Sequence, residues 1–170
     1  MKKSLFVLFL LATFVSPVYS QIQNKFFGCR FGSDMSCLLE VFENKNNMIG
    51  ENNLIVTNIR FGGFIWDFAE FRYIENQLFG VSFNIKDKNK HKIVERFSIL
   101  KDKLDNKYYN YSMLNVSDEQ TQYYEDNENV CSLKYEYGEA ANGGKYWFVR
   151  LYYWNNRLAK IALNKDDAEL

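Results

Sequence analysis

The sequence predicts an α+β fold made of tandem α-β-β-β repeats, an antiparallel sheet with two helices packed on one face. Three observations lead there. Apolar residues recur at helical spacing in residues 35–42 and 93–104 and alternate inward and outward through several other runs. Aromatic residues make up 18% of the chain and its single proline is Pro17, a composition that favours strands over rigid loops. Finally, "FRYIENQLFGVSFNIKD" at 71–87 is echoed by "LYYWNNRLAKIALNKDD" at 151–167, and internal repetition is a direct reading of architecture.

The first 20 residues precede any fold. Lys2 and Lys3 form a positive start, "LFVLFLLATFV" at 5–15 is an apolar core, and Val18 and Ser20 stand where a cleavage site before Gln21 wants small or β-branched residues. The apolar run is shorter than the ~20 residues a membrane span requires. Residues 1–20 are therefore read as a signal peptide. The mature chain, 21–170, is expected to be a single domain in the periplasm or outside the cell, with no transmembrane segment. Removing Lys2 and Lys3 leaves 19 basic residues against 21 acidic, which argues against nucleic acid as a partner, since phosphate binding needs a clustered basic surface.

In "KFFGCRFGSDMSCLLEVFENKNN" (25–47) a short strand runs into a helix. Ser33 is the expected N-cap and Asp34 complements the positive helix end. Met35, Leu38, Leu39 and Phe42 form one buried stripe, and Asn46 and Asn47 end the helix. Cys29 and Cys37 lie 8 apart and are the candidate disulfide, which geometry and not spacing decides. Cys131 alternates with Leu133, Tyr135 and Tyr137 and is expected to face the core as a small hydrophobe, the odd thiol of three.

Three strands follow at 54–61, 64–74 and 78–85. In the third, Phe79, Val81, Phe83 and Ile85 share one face. A three-residue connection pairing Ile74 with Leu78 places Ala69, Phe71 and Tyr73 on that face and Asn76 at a left-handed bulge position. A second helix is expected over 89–106, with Ile93, Val94, Phe97, Leu100 and Leu104 as its stripe. Residues 108–130 read as a polar loop with local strand character, and strands at 130–137, 145–154 and 158–163 close the chain. At an offset of eighty, Tyr73, Asn76, Leu78, Asn84 and Asp87 meet Tyr153, Asn156, Leu158, Asn164 and Asp167. The two units then cover about 26–87 and 89–165.

This element order, with "FGSDMSCLLEVF" (31–42) opening the first helix after a small N-cap, resembles the β-lactamase-inhibitor-protein fold and, in one unit, the small lipoprotein of the outer-membrane barrel-assembly machinery. "FFGCRFGS" and "IRFGGFIWDFAEF" also resemble stretches of secreted bacterial proteins whose role is itself uncharacterised. The resemblance implies helices on one face of a continuous antiparallel sheet and carries no functional motif across.

Catalytic readings find little footing. His91, the only histidine, sits among Lys88, Lys90 and Lys92 as solvated surface. Histidine and cysteine are too few and scattered for a metal site, and no cofactor is indicated. Asp67 and Glu70 point to opposite faces of one strand, and Glu70 with Arg72 reads as a cross-strand salt bridge. Asp118, Glu119, Glu125, Asp126 and Glu128 read as a solvated acidic loop. Asn110 and Asn115 begin glycosylation acceptor motifs.

The informative feature is the face opposite the core. By parity it displays Trp66, Phe68, Glu70 and Arg72 from the first unit and Tyr146, Phe148, Arg150, Tyr152 and Trp154 from the second. Such a face should be polar, yet it carries aromatics and arginines, the residues enriched at binding hot spots. The sequence therefore points to an exported, non-catalytic module that engages a protein partner through this face. Its alternatives are a structural or assembly factor of the cell envelope, a carbohydrate-binding module and a small hydrolase.

Overall fold

The computed structural model describes residues 21–112, 119–140 and 142–168. The expected signal peptide, Asn115 and Asp118 lie outside them. The fold is α+β, with a seven-stranded antiparallel sheet.

The chain opens on a small hairpin, β1 (Lys25–Phe26) paired with β2 (Cys29–Arg30), where the sequence predicts one strand. Helix α1 (Met35–Val41) follows, capped by Asp34 and not by Ser33. The Asp34 carboxylate accepts from the Ser36 amide at 2.9 Å and from its hydroxyl, which holds the carboxyl below its ordinary pKa. Ser33 Oγ instead accepts from the Arg30 amide. A disulfide joins Cys29 to Cys37 with their Cα atoms 6.1 Å apart, tying the hairpin to the helix. Closing so short a loop stabilises the fold by about 2–3 kcal/mol in the chain-entropy account.

The sheet comprises β3 (Asn47–Ile49), β4 (Asn53–Phe61), β5 (Phe64–Ile74), β6 (Gln77–Asp87), β7 (Thr121–Glu125), β8 (Asn129–Glu139) and β9 (Lys145–Asn155), in the order β3-β4-β5-β6-β9-β8-β7. Helix α2 (Lys90–Lys107) links β6 to β7, and α3 (Asn156–Ala168) follows β9. Sequence patterning does not reveal β3, and β7 forms within the segment that reads as a loop.

The largest departure is at the end of the chain. Residues 158–163 form the middle of α3 and not a strand, so "LYYWNNRLAKIALNKDD" is strand then helix, and the hairpin echo at an offset of eighty does not describe the fold. The reason is local. Arg157, Leu158, Ala159, Lys160 and Ala162 are strong helix formers, whereas the first copy has the strand-favouring Phe79, Val81 and Phe83. Asn155 Oδ1 accepts from the Leu158 amide at 3.2 Å, which starts the helix.

The β5–β6 turn is also tighter than expected. Ile74 pairs with Gln77 across a two-residue turn in which Glu75 and Asn76 both have positive φ (49° and 59°), and the register shifts next to it, so Tyr73 pairs with Leu78 and Arg72 with Gly80. Leu78 thereby enters the core in place of Phe79. Asn76 Oδ1 accepts from the Met35 amide at 3.3 Å, fastening the hairpin tip to the start of α1.

One core lies between the sheet and the α1, α2 and β1–β2 layer. Phe26, Leu38, Phe42, Ile93, Phe97, Leu100 and Leu104 meet Leu54, Val56, Ala69, Phe71, Phe83, Leu133, Val149 and Leu151 there. Helix α3 lies across the other face near Arg72, Gly80, Ser82 and Trp154, with Leu158 buried beneath it. Among the described residues, no helix is long and apolar enough to cross a membrane.

Candidate functional site

Of the residues that alternation assigns to the outer face, Trp66 lies in the core instead. Trp66 is fully buried in the core, packed on Phe83 and Phe64, with its indole N–H donating to the Phe61 carbonyl at 3.0 Å. The alternation slips by one residue on two paired strands at the same point. Thr57 and Asn58 both face outward on β4, as do Asp67 and Phe68 on β5. Asn58 takes a positive φ of 52°, the left-handed conformation asparagine tolerates, and such an irregularity re-aims every side chain beyond it.

Phe68, Glu70, Arg72, Tyr146, Phe148, Arg150, Tyr152 and Trp154 share the outer face. Strand register lays Phe68 beside Asn84, Arg150 and Lys134 in one row, and Glu70 beside Ser82, Tyr152 and Ser132 in the next. Arg72, Gly80, Trp154 and Val130 form a third row, Lys86, Phe148 and Glu136 a fourth, and Tyr146 lies beyond. The centre is a stripe of small buried polar residues, Ser82, Asn84 and Ser132, with Asn84 Nδ2 donating to Ser82 Oγ at 3.1 Å.

The arginines are already paired. Arg150 Nε lies 2.8 Å from Glu136 Oε1, Lys134 binds the same carboxylate, and the Arg150 guanidinium stacks 4.7 Å from the centre of the Phe148 ring. Arg72 pairs with Glu70 at 2.8 Å along one strand and not across two, and Asn53 Nδ2 donates to Glu70 as well. Exposed pairs of this kind contribute about 0–1 kcal/mol each, so their effect is to hold side chains in place over the rings.

Helix α3 divides this face. Over Arg72, Tyr152 and Trp154 it lays Ala159, Ala162 and Leu163, leaving a gap of about 310 Å³. At the uncovered end is an open groove of about 660 Å³, floored by Phe68, Phe148 and Ile55 and bounded by Met48, Lys86, Arg150 and the Glu139–Ala140 corner. Phe148 is only 2% exposed and forms the floor, while Met48 is 61% exposed at the rim. Sequence parity does not single out Met48, Ile55 or Lys86. A signal for Ile55 is present, since Leu54 and Val56 flank it as core residues; Met48 depends on β3, whose Asn-rich surroundings carry no strand signal.

The remaining candidates fall elsewhere. Asp67 accepts from the Lys86 amide at 2.8 Å, where the β5–β6 ladder ends. Asp126 is a structural hub, accepting from the amides of Ile22, Glu128 and Asn129. His91 is exposed in the first turn of α2, and Asn110 is exposed in a short 3-10 turn. Among the described residues, no group of three or more His, Cys, Asp or Glu is placed to hold a metal ion. Cys131 is fully buried and hydrogen-bonded with Tyr153, and burial pushes its thiol far above the ordinary range, the opposite of an activated nucleophile.

Fold and site together define a seven-stranded antiparallel α+β protein with an aromatic groove on one sheet face. No protein family, curated protein or solved structure matches the chain.

Proposed function

We propose that the protein is an exported, non-catalytic binding module that engages a protein partner through the groove between Met48, Phe68 and Arg150. The observation that carries this reading is the uncovered end of the sheet face, where Phe68, Ile55 and Met48 offer apolar surface beside Arg150, already held by Glu136. Binding surfaces combine apolar anchors with charged groups already held in position. Export rests on the leader-like residues 1–20, and the disulfide is consistent with an oxidising compartment. The chain runs α1 then β3–β6, and α2 then β7–β9, with β6 beside β9 in the sheet, an order that supports the resemblance to the β-lactamase-inhibitor-protein fold.

The test is recovery of a partner from envelope extract on immobilised mature chain, followed by measured affinity for the purified partner. Met48→Asp with Phe68→Asp is expected to weaken that affinity at least about tenfold, while Glu95→Lys on α2 leaves it unchanged. Undiminished affinity in the groove variant contradicts the proposal, as does binding confined to a glycan array.

A further inference from the structure

On the other side of the sheet, a cleft of about 400 Å³ opens between the start of the mature chain, the β4–β5 turn and the last turns of α2. This is at the small end of the ~300–1,000 Å³ range of ligand pockets. Its walls are Phe61, Phe64, Trp66, Tyr153, Leu100, Leu104 and Leu151, and its mouth is formed by Gln23, Gly62, Lys103 and Lys107. No lining residue is acidic. The outer-face groove makes no use of this cleft.

The two lysines stand four residues apart on α2, hence on one side of the helix. Neither has a carboxylate partner among the described residues, although Lys101 on the same helix pairs with Asp105. Lys103 Nζ rests 4.5 Å from the centre of the Phe64 ring. Lys107 Nζ donates to Gln23 Oε1 at 3.1 Å and lies 4.9 Å from the centre of the Tyr108 ring. Both cations are thus held over aromatic faces at the entrance to an apolar cleft, an arrangement that attracts a positive group weakly and leaves it open to a true anion.

We propose that this cleft binds a small amphipathic carboxylate, its acid group between Lys103 and Lys107 and its apolar body against Phe61 and Phe64. Most of the inner wall is closed to solvent, with Trp66, Leu100 and Leu151 nearly inaccessible. The accessible apolar surface is therefore narrow and suits one alkyl chain or one ring, and excludes a two-chain lipid.

Decanoate and 3-phenylpropionate are the probes, titrated into the mature chain by calorimetry with tryptophan emission as a second readout, since Trp66 lines the cleft. One-to-one binding of at least one acid with a dissociation constant of roughly 0.1 mM is expected, with 1-decanol and decylammonium at least about tenfold weaker. Lys103→Ala with Lys107→Ala should weaken the acid about tenfold, and both positions are exposed, so the fold survives the change. Met48→Asp with Phe68→Asp should leave acid binding intact, separating this site from the groove. The proposal is overturned by absence of saturable binding below the micelle concentration, by a stoichiometry well above one, or by affinity indifferent to the two lysines.

Discussion

Cys131 and Tyr153 share a hydrogen bond inside the core, with Tyr108 bonded to the same tyrosine. Burial raises the pKa of all three, and that of Tyr124, which donates to Asp105 at 2.6 Å. In the unfolded chain these groups titrate near their ordinary values, about 8.5 for cysteine and 10 for tyrosine. Below about pH 8.5 their contribution to stability is therefore complete. Above it the unfolded state sheds protons the native state keeps, and stability falls with pH. For the fully buried Cys131 and Tyr153 the loss is about 1.4 kcal/mol per pH unit each. Urea midpoints should be constant between about pH 7 and 8 and fall from about pH 9 upward, with Cys131→Ala removing the earliest part of the fall. A flat profile to about pH 11 contradicts this.

Trp66 shows why parity alone misplaces a side chain. Strict alternation from Phe71 and Ala69 puts it on the outer face, and only the paired irregularity at Asn58 and Asp67 turns it inward. A lone asparagine inside a strand gives too weak a signal to identify that point. The consequence is measurable, because Trp66→Ala should cost about 3–5 kcal/mol, whereas Trp154→Ala, at a half-buried position, should cost less than about 2. Equal costs in urea unfolding would place Trp66 outside the core.

Among the elements, α2 is legible in the sequence from its long helical spacing, and β4, β5 and β6 from long runs of aromatic and β-branched residues bounded by turn residues, even where the alternation slips within them. The 158–163 segment is not, since Leu158, Ile161 and Leu163 fit neither period cleanly and the likeness to the first hairpin weighs toward strand. Alternation and helical spacing coincide over such short runs, and composition decides between them. Helix α3 covers part of the outer face, so removing 156–170 should uncover Trp154 and Tyr152 while the core between the sheet and α2 stays folded. The loss of Leu158 burial costs about 2 kcal/mol. Tryptophan emission should shift to the red, and a Trp154→Phe background should abolish the shift. Unchanged emission would mean that α3 does not lie on this face.

For the molecule as a whole, the sheet carries two different surfaces. One is sealed by α1, α2 and the disulfide-tied hairpin into a continuous core; the other is half covered by α3 and half open as the groove at Met48, Phe68 and Arg150. Sequence parity identifies Phe68, Phe148, Arg150 and Tyr152 as members of that second surface. It has no means of showing that α3 splits it, because the splitting element reads as a strand of the sheet itself.

The groove at Met48, Phe68 and Arg150 is tested most directly by site-specific photo-crosslinking of the mature chain in native envelope extract. A benzophenone side chain placed at Met48 or at Phe68 should capture the same single protein, and one placed at Lys101 on α2 should capture none. Capture of the same species from Lys101, or of nothing from either groove position, would contradict the assignment of this face as the binding surface.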